Sequence, residues 1–154
     1  MHLDNWEYEI FKNAKLTLAL NDEKTDKAVA DLKAACLTMI DLFKVVCDEG
    51  LLSLSDFVKE LPDTDINKFL VIGAEIIADC GDSAMLDMVL TNQLVLADES
   101  NFDTYIKHMI AVLLTFIEAG TELGILQTVM LSYMPGDKVV DFSVWLMEEC
   151  TKEA

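Results

Sequence analysis

Apolar side chains return every three or four positions along almost the whole chain, and only two prolines and six glycines interrupt them. That period is the signature of amphipathic helices. The first predicted helix runs from Leu3 to Leu20, with Leu3, Trp6, Ile10, Ala14 and Leu18 on one face, and Asn21-Asp22-Glu23 breaks it. The second runs from Thr25 to Glu49. Its Val29, Leu32, Cys36, Met39, Phe43 and Val46 alternate by three and four, a seam that packs on another helix. Gly50 reads as its C-cap or a sharp bend.

A short helix from Leu51 to Leu61 is stopped by Pro62, and the next starts with Asp63 or Asp65 as N-cap. Its inward face is Ile66, Phe69, Leu70, Gly73, Ile76 and Ile77, where Gly73 costs about 1 kcal/mol against alanine and so signals close helix approach. Cys80-Gly81-Asp82 ends it and caps a fifth helix reaching Ala97 through Leu86, Val89, Leu90 and Leu94. Ser100 is the predicted cap of a sixth, ending at Glu118. A seventh segment spans Thr121 to Met134, and Pro135-Gly136-Asp137 turns the chain into a last amphipathic helix ending near Glu149. The pattern predicts an all-α, single-domain bundle of about 7–8 helices over residues 1–154, with no repeat and no linker.

Charge narrows the partners. There are 28 acidic residues against 11 lysines and no arginine, a formal charge of −17. Phosphate backbones and anionic lipid heads are held by Lys and Arg clusters, so nucleic acid and charged membrane surfaces are excluded as partners, and a protein with a basic surface is favoured. The same acidity also serves simply to keep a chain that is 53% hydrophobic in solution. The longest run without charge, Leu123 to Gly136, is 14 residues, whereas a spanning helix needs about 20, so no membrane insertion is expected. Asp4, Glu7, Glu9, Lys12 and Lys15 interrupt any leader-like apolar stretch. The four cysteines (36, 47, 80 and 150) form no Cys-x-x-Cys pair and stand far from His2 and His108, so no zinc spacing exists. Three of them fall on predicted apolar helix faces, which suits reduced, buried thiols in a cytoplasmic protein.

One stretch carries a family pattern. Asp48-Glu49-Gly50-Leu51-Leu52-Ser53-Leu54-Ser55 is followed by Phe69-Leu70-Val71-Ile72-Gly73, then Asp79-Cys80-Gly81-Asp82, then Leu86, Leu90 and Leu94. In order and spacing, 25–97 resembles the cytoplasmic domain of the flagellar motor stator protein MotA (MotA/TolQ/ExbB-like), where a charged pair precedes Gly-Leu-Leu-Ala-Leu-Glu and the later turn is Asp-Gly-x-Asp. Fainter echoes of that family's next membrane entry lie within 100–134, at Ile117-Glu118-Ala119-Gly120 and Gly124-Ile125-Leu126-Gln127-Thr128-Val129. Thr121 stands in place of the family's proline and Gln127 in place of a glycine, and the other membrane helices have no counterpart. The resemblance implies a soluble stator-like domain that conducts no ions. It also implies a changed rotor contact, because Asp48 stands where the family has Arg and Ser55 where it has Glu. That reversal of sign would repel the acidic partner the Arg attracts.

No catalytic set is visible. Glu118 and Glu122 would become an acid/base pair if both were buried, but Gly120 between them predicts a break and Glu122 suits a helix start. Asp63-Thr64-Asp65 and Asp79-Cys80-Gly81-Asp82 do not continue as calcium loops, and capping explains both. His108 lies in an apolar helix with no Ser, Cys or Asp at motif spacing, which reads as a satisfied core or surface histidine. In the last helix Val139, Phe142 and Leu146 make one stripe and Val144, Trp145 and Met147 widen it, so the helix is either packed core or an exposed Trp–Met patch suited to a partner. The expected function is a non-catalytic, MotA-like interaction module without cofactor or metal, motility-related, docking a cytosolic protein through Asp48, Glu49, Ser55, Asp56, Trp145 and Met147. Two alternatives stand beside it. One is a small enzyme with an inter-helix site using Glu118, Glu122 or His108; the other is an acidic decoy of a nucleic-acid-binding protein.

Overall fold

In a computed structural model of the chain, residues 3–152 are described, and His2 falls outside them. They form eight α-helices: α1 (Asn5–Ala19), α2 (Glu23–Glu49), α3 (Leu54–Lys59), α4 (Asp65–Asp79), α5 (Ser83–Val95), α6 (Phe102–Glu118), α7 (Leu123–Leu131) and α8 (Val139–Thr151). A 3₁₀ turn, Leu51–Ser53, joins α2 to α3, and no strand occurs among the described residues. The fold is the expected all-α bundle.

Local chemistry sets the boundaries. Asp22 accepts the backbone N–H groups of Lys24 and Thr25 at 2.9 and 3.2 Å, and Asp82 accepts those of Ala84 and Met85 at 2.9 and 3.1 Å. Each cap is worth about 1 kcal/mol. Two expected caps move by one residue. Thr64, not Asp63 or Asp65, accepts the Asn67 N–H at 3.1 Å, and Asn101, not Ser100, accepts that of Asp103 at 2.9 Å. Ser100 instead donates its hydroxyl to Asp98 at 2.7 Å, closing the turn before α6. At the end of α2, Gly50 takes φ 89°, the left-handed conformation that suits glycine after a helix.

One contiguous core draws on all eight helices. α6 runs through its middle, packed against α1, α2, α4, α5 and α7. The predicted seam of α2 divides: Leu32, Cys36 and Met39 are buried, while Val29, Phe43 and Val46 are half-buried at the edge. Gly73 marks the closest approach of α4 to its neighbours. A Cβ there would lie 2.5 Å from Leu114 Cδ1 of α6 and 3.4 Å from Leu90 Cδ1 of α5.

Buried threonines anchor the helix ends. Thr25 Oγ1 donates to the Thr17 carbonyl at 2.7 Å and Thr104 Oγ1 to the Asp98 carbonyl at 2.6 Å, so neither hydroxyl is left orphaned. α8 runs beside α2. Lys138 Nζ reaches Asn21 Oδ1 at 3.0 Å, Lys33 Nζ lies 5.1 Å from the Trp145 ring centroid, and Lys44 Nζ donates to the Lys152 carbonyl at 3.3 Å. Of the four thiols only Cys36 is buried; Cys47 and Cys80 are exposed and Cys150 is half-buried, all reduced. The expectation of mostly buried cysteines fails because Cys47 faces outward in the last turn of α2 and Cys80 lies just past the end of α4. None of the described helices is long and apolar enough to cross a membrane.

Candidate functional site

Two features stand out, an inter-helix cleft and the outer face of α8. The cleft lies among the first turns of α1, the middle of α5, the exposed flank of α6 and the end of α7, and encloses about 800 Å³. On its wall is a chain of polar groups that sequence spacing did not suggest. His108 Nε2 lies 2.7 Å from Glu7 Oε2, and His108 Nδ1 lies 2.6 Å from Tyr133 Oη. Tyr105 Oη in turn donates to the Tyr133 carbonyl at 2.6 Å. Aromatic edges enclose the chain, with Phe11 perpendicular to the rings of both Tyr105 (5.2 Å) and His108 (5.1 Å). These contacts stitch α1 to α6 and the residues after α7.

Burial pushes the phenols of Tyr133 and Tyr105 above the usual tyrosine range, and for Tyr133 the nearby Tyr105 and Glu7 add to it. Both therefore stay protonated and act as hydrogen-bond donors at neutral pH. His108 has both ring nitrogens engaged, which is the satisfied core histidine that the apolar surroundings predict. To accept a substrate proton it would have to give up one of these bonds. Glu7 and Tyr133 were missed because they stand 101 and 25 residues away from His108. The available signal was His108 itself, a polar side chain one turn after Tyr105 on the inward side of an apolar helix, which needs partners.

The other suspected acid/base pair does not form. Glu118 is half-buried in the last turn of α6 and Glu122 is exposed before α7, with Gly120 at φ 81° turning the chain between them. No group of three or more metal-ligating side chains is found among the described residues.

The predicted docking residues fall into two groups, Asp48, Glu49, Ser55 and Asp56 around the α2–α3 junction and Trp145 and Met147 on α8. Asp48 and Glu49 are exposed in the last turn of α2, where the helix dipole is already negative and no basic residue of that turn offsets them. Asp56 is exposed, with Lys59 Nζ at 3.5 Å, a surface pair worth little. Ser55 is half-buried and its hydroxyl donates to both carboxylate oxygens of Glu75, at 3.0 and 3.1 Å, tying α3 to α4. It is held within the chain and unavailable to a partner. Trp145 is half-buried, stacked on Phe142 at 5.5 Å with Lys33 over its face. Met147 is exposed, and with Val140 and Val144 it forms an outward stripe spaced by four and three, exposed by 60, 69 and 57% respectively. The Lys138–Asn21, Lys33–Trp145 and Lys44–Lys152 contacts run α8 parallel to α2, so the stripe lies along the length of α2 and the acids at the end of α2 lie beyond it.

No family model matches this chain, and no curated protein and no solved structure matches it with significance. The likeness to the stator domain rests on the quoted residues alone.

Proposed function

We propose that this chain is a non-catalytic interaction module that docks a basic, amphipathic segment of a protein partner along the outer face of α8. The observation that carries this reading is the exposed Val140–Val144–Met147 stripe on a chain of net charge −17. A helix with one apolar face in the core and a second apolar face outward has more apolar surface than its own fold uses. Asp141 and Glu148 beside the stripe, with the exposed Asp48, Glu49 and Asp56 adding to the negative field, select against acidic partners and draw basic ones. Trp145 serves as a half-buried wall of the docking face rather than as its projecting anchor. The MotA-like order of residues in 25–97 supports a motility-related role, and makes a component of the flagellar motor the first natural partner to try.

The test uses two synthetic amphipathic helices, one Lys/Leu and one Glu/Leu, titrated against the purified chain at moderate salt. The reading expects the basic peptide to bind and the acidic one not to. It expects Val144→Gln with Met147→Lys to weaken binding at least about tenfold, the loss of roughly 1.4 kcal/mol. Met88→Lys on α5, equally a change of an exposed methionine, should leave affinity within about twofold beyond the change in net charge. Equal losses in both variants would mean that charge alone, and not the α8 face, holds the peptide.

A further inference from the structure

We infer that the cleft lined by Trp6, Glu7 and His108 is a binding site for a small organic cation, an ammonium head carried on an aromatic or short aliphatic body. The inference is independent of docking on α8. The cleft of about 800 Å³ is in the size range of small-molecule sites, ~300–1,000 Å³. Its walls are mostly apolar, with Trp6, Phe11, Leu90, Val112 and Val129 among them. Every charged side chain lining it among the described residues is a carboxylate: Asp4, Glu7 and Asp87. An anionic ligand would find no Lys or Arg to pair with there.

The hydrogen-bonding state of the lining decides the head group. Both nitrogens of His108 are engaged, by Glu7 and Tyr133, so the imidazole offers no donor to an anion. Glu7 is differently placed. Its Oε2 meets His108, while Oε1 meets only the long 3.4 Å contact from the Asp4 N–H. With its side chain only 21% exposed, Glu7 presents an acceptor of charge-assisted bonds at the edge of an apolar hollow. The Trp6 ring, 6.2 Å from the His108 ring, supplies an aromatic face at the same wall. A carboxylate with an indole beside it is the pairing that favours an alkylammonium over a neutral isostere. The net charge of −17 raises the local concentration of cations and speeds their arrival. The apolar body then lies against Phe11, Leu90 and Val112.

The probe is 2-phenylethylammonium, titrated calorimetrically into the full chain at physiological salt, with 3-phenylpropionate as its charge-reversed counterpart. Saturable one-to-one binding of the amine and none of the acid is expected. Glu7→Gln should weaken the amine at least about tenfold, the scale of a lost charge-assisted bond. Trp6→Leu should weaken it several-fold. Asp87→Asn, an exposed change that leaves the His108 contacts in place, should weaken it about two- to fivefold, by loss of a screened charge at the rim. Asp141→Asn, on α8, should leave it unchanged. Circular dichroism reports whether Glu7→Gln keeps its fold; if it does not, Trp6→Leu and Asp87→Asn decide. No saturation at millimolar amine, equal binding of the acid, or equal loss in Asp87→Asn and Asp141→Asn would overturn the inference. Val144→Gln with Met147→Lys should retain amine binding, so failure of docking on α8 and failure of the cleft are read separately.

Discussion

α6 and α8 are both apolar helices, and their fates differ completely. α6 buries nine residues, from Thr104 to Ile117, because five other helices pack against it. α8 buries two, Phe142 and Leu146, and leaves Val140, Val144 and Met147 in water. Apolar content made each of them a helix that must pack somewhere, but the count of neighbours decided how much of that content the fold itself uses. The surplus on α8 is where a partner is best sought, whereas changes in α6 report on stability.

The largest effect that this contrast predicts comes from breaking the α6 side by alkali. Burial holds the phenols of Tyr105 and Tyr133 above the usual range and pushes the Cys36 thiol up to about 12. In the unfolded chain these groups lose their protons near pH 10 and 8.5. Above those values the unfolded state binds fewer protons than the native one, so stability falls as pH rises, by up to about 1.4 kcal/mol per pH unit for each group. Their contribution is whole at neutral pH and drains away from about pH 9 upward. Phenolate absorbance from the two buried tyrosines should appear together with loss of helical dichroism, not before it. Ionisation of both while the helices persist would show that the region around α6 is open to water.

Next in size is Leu113→Ala in α6, a fully buried side chain. Removal of its atoms and the cavity left behind should cost about 2–5 kcal/mol in denaturant unfolding. A cost near zero would put α6 on the same footing as α8. Gly73→Ala probes the same packing from α4. Its new methyl would need Leu114 Cδ1 to move from 2.5 Å, an overpacking cost of about 1–3 kcal/mol, partly offset by a gain of about 1 kcal/mol in helix propensity. In a Leu114→Ala background the clash disappears and the same substitution should become stabilising. That reversal of sign distinguishes close packing from a general dislike of change at Gly73.

How much of this was legible follows from which interactions are local. Helix number, the inward faces of α1, α4 and α5, and the Gly50 and Asp82 boundaries were readable, since periodicity and capping act within a few residues. Thr64 and Asn101 were not picked as caps because an acid or serine stood next to each, and one residue of register settles which side chain reaches the free N–H groups. The exposure of Cys47 was hidden because an apolar face predicted from spacing says nothing about where the neighbouring helix ends, whereas Cys80 already stood in the turn that ends its helix. The contacts of His108 were invisible for a stronger reason. They join three elements whose proximity is set by the packing of α1 and α7 on α6, and no spacing encodes it. Trp145 was readable as apolar and not as half-buried, since its cover comes from Phe142 within α8 and Lys33 across on α2.

The smallest expected effect is the sharpest test of the contrast. Val144→Gln removes a branched apolar side chain that is 57% exposed and replaces it with a good helix former. Little buried area is lost and propensity changes slightly in its favour, so unfolding free energy should stay within about 0.5 kcal/mol of the parent. The corresponding change at Phe142, one face away on the same helix, should cost several times more, because Phe142 is buried against the core. If Val144→Gln instead proved as costly as a core substitution in the isolated chain, the outer face of α8 would have to be covered in solution. A second copy of this chain would then be the nearest candidate to cover it, and a concentration-dependent melting temperature would reveal that, since dimerisation stabilises by mass action.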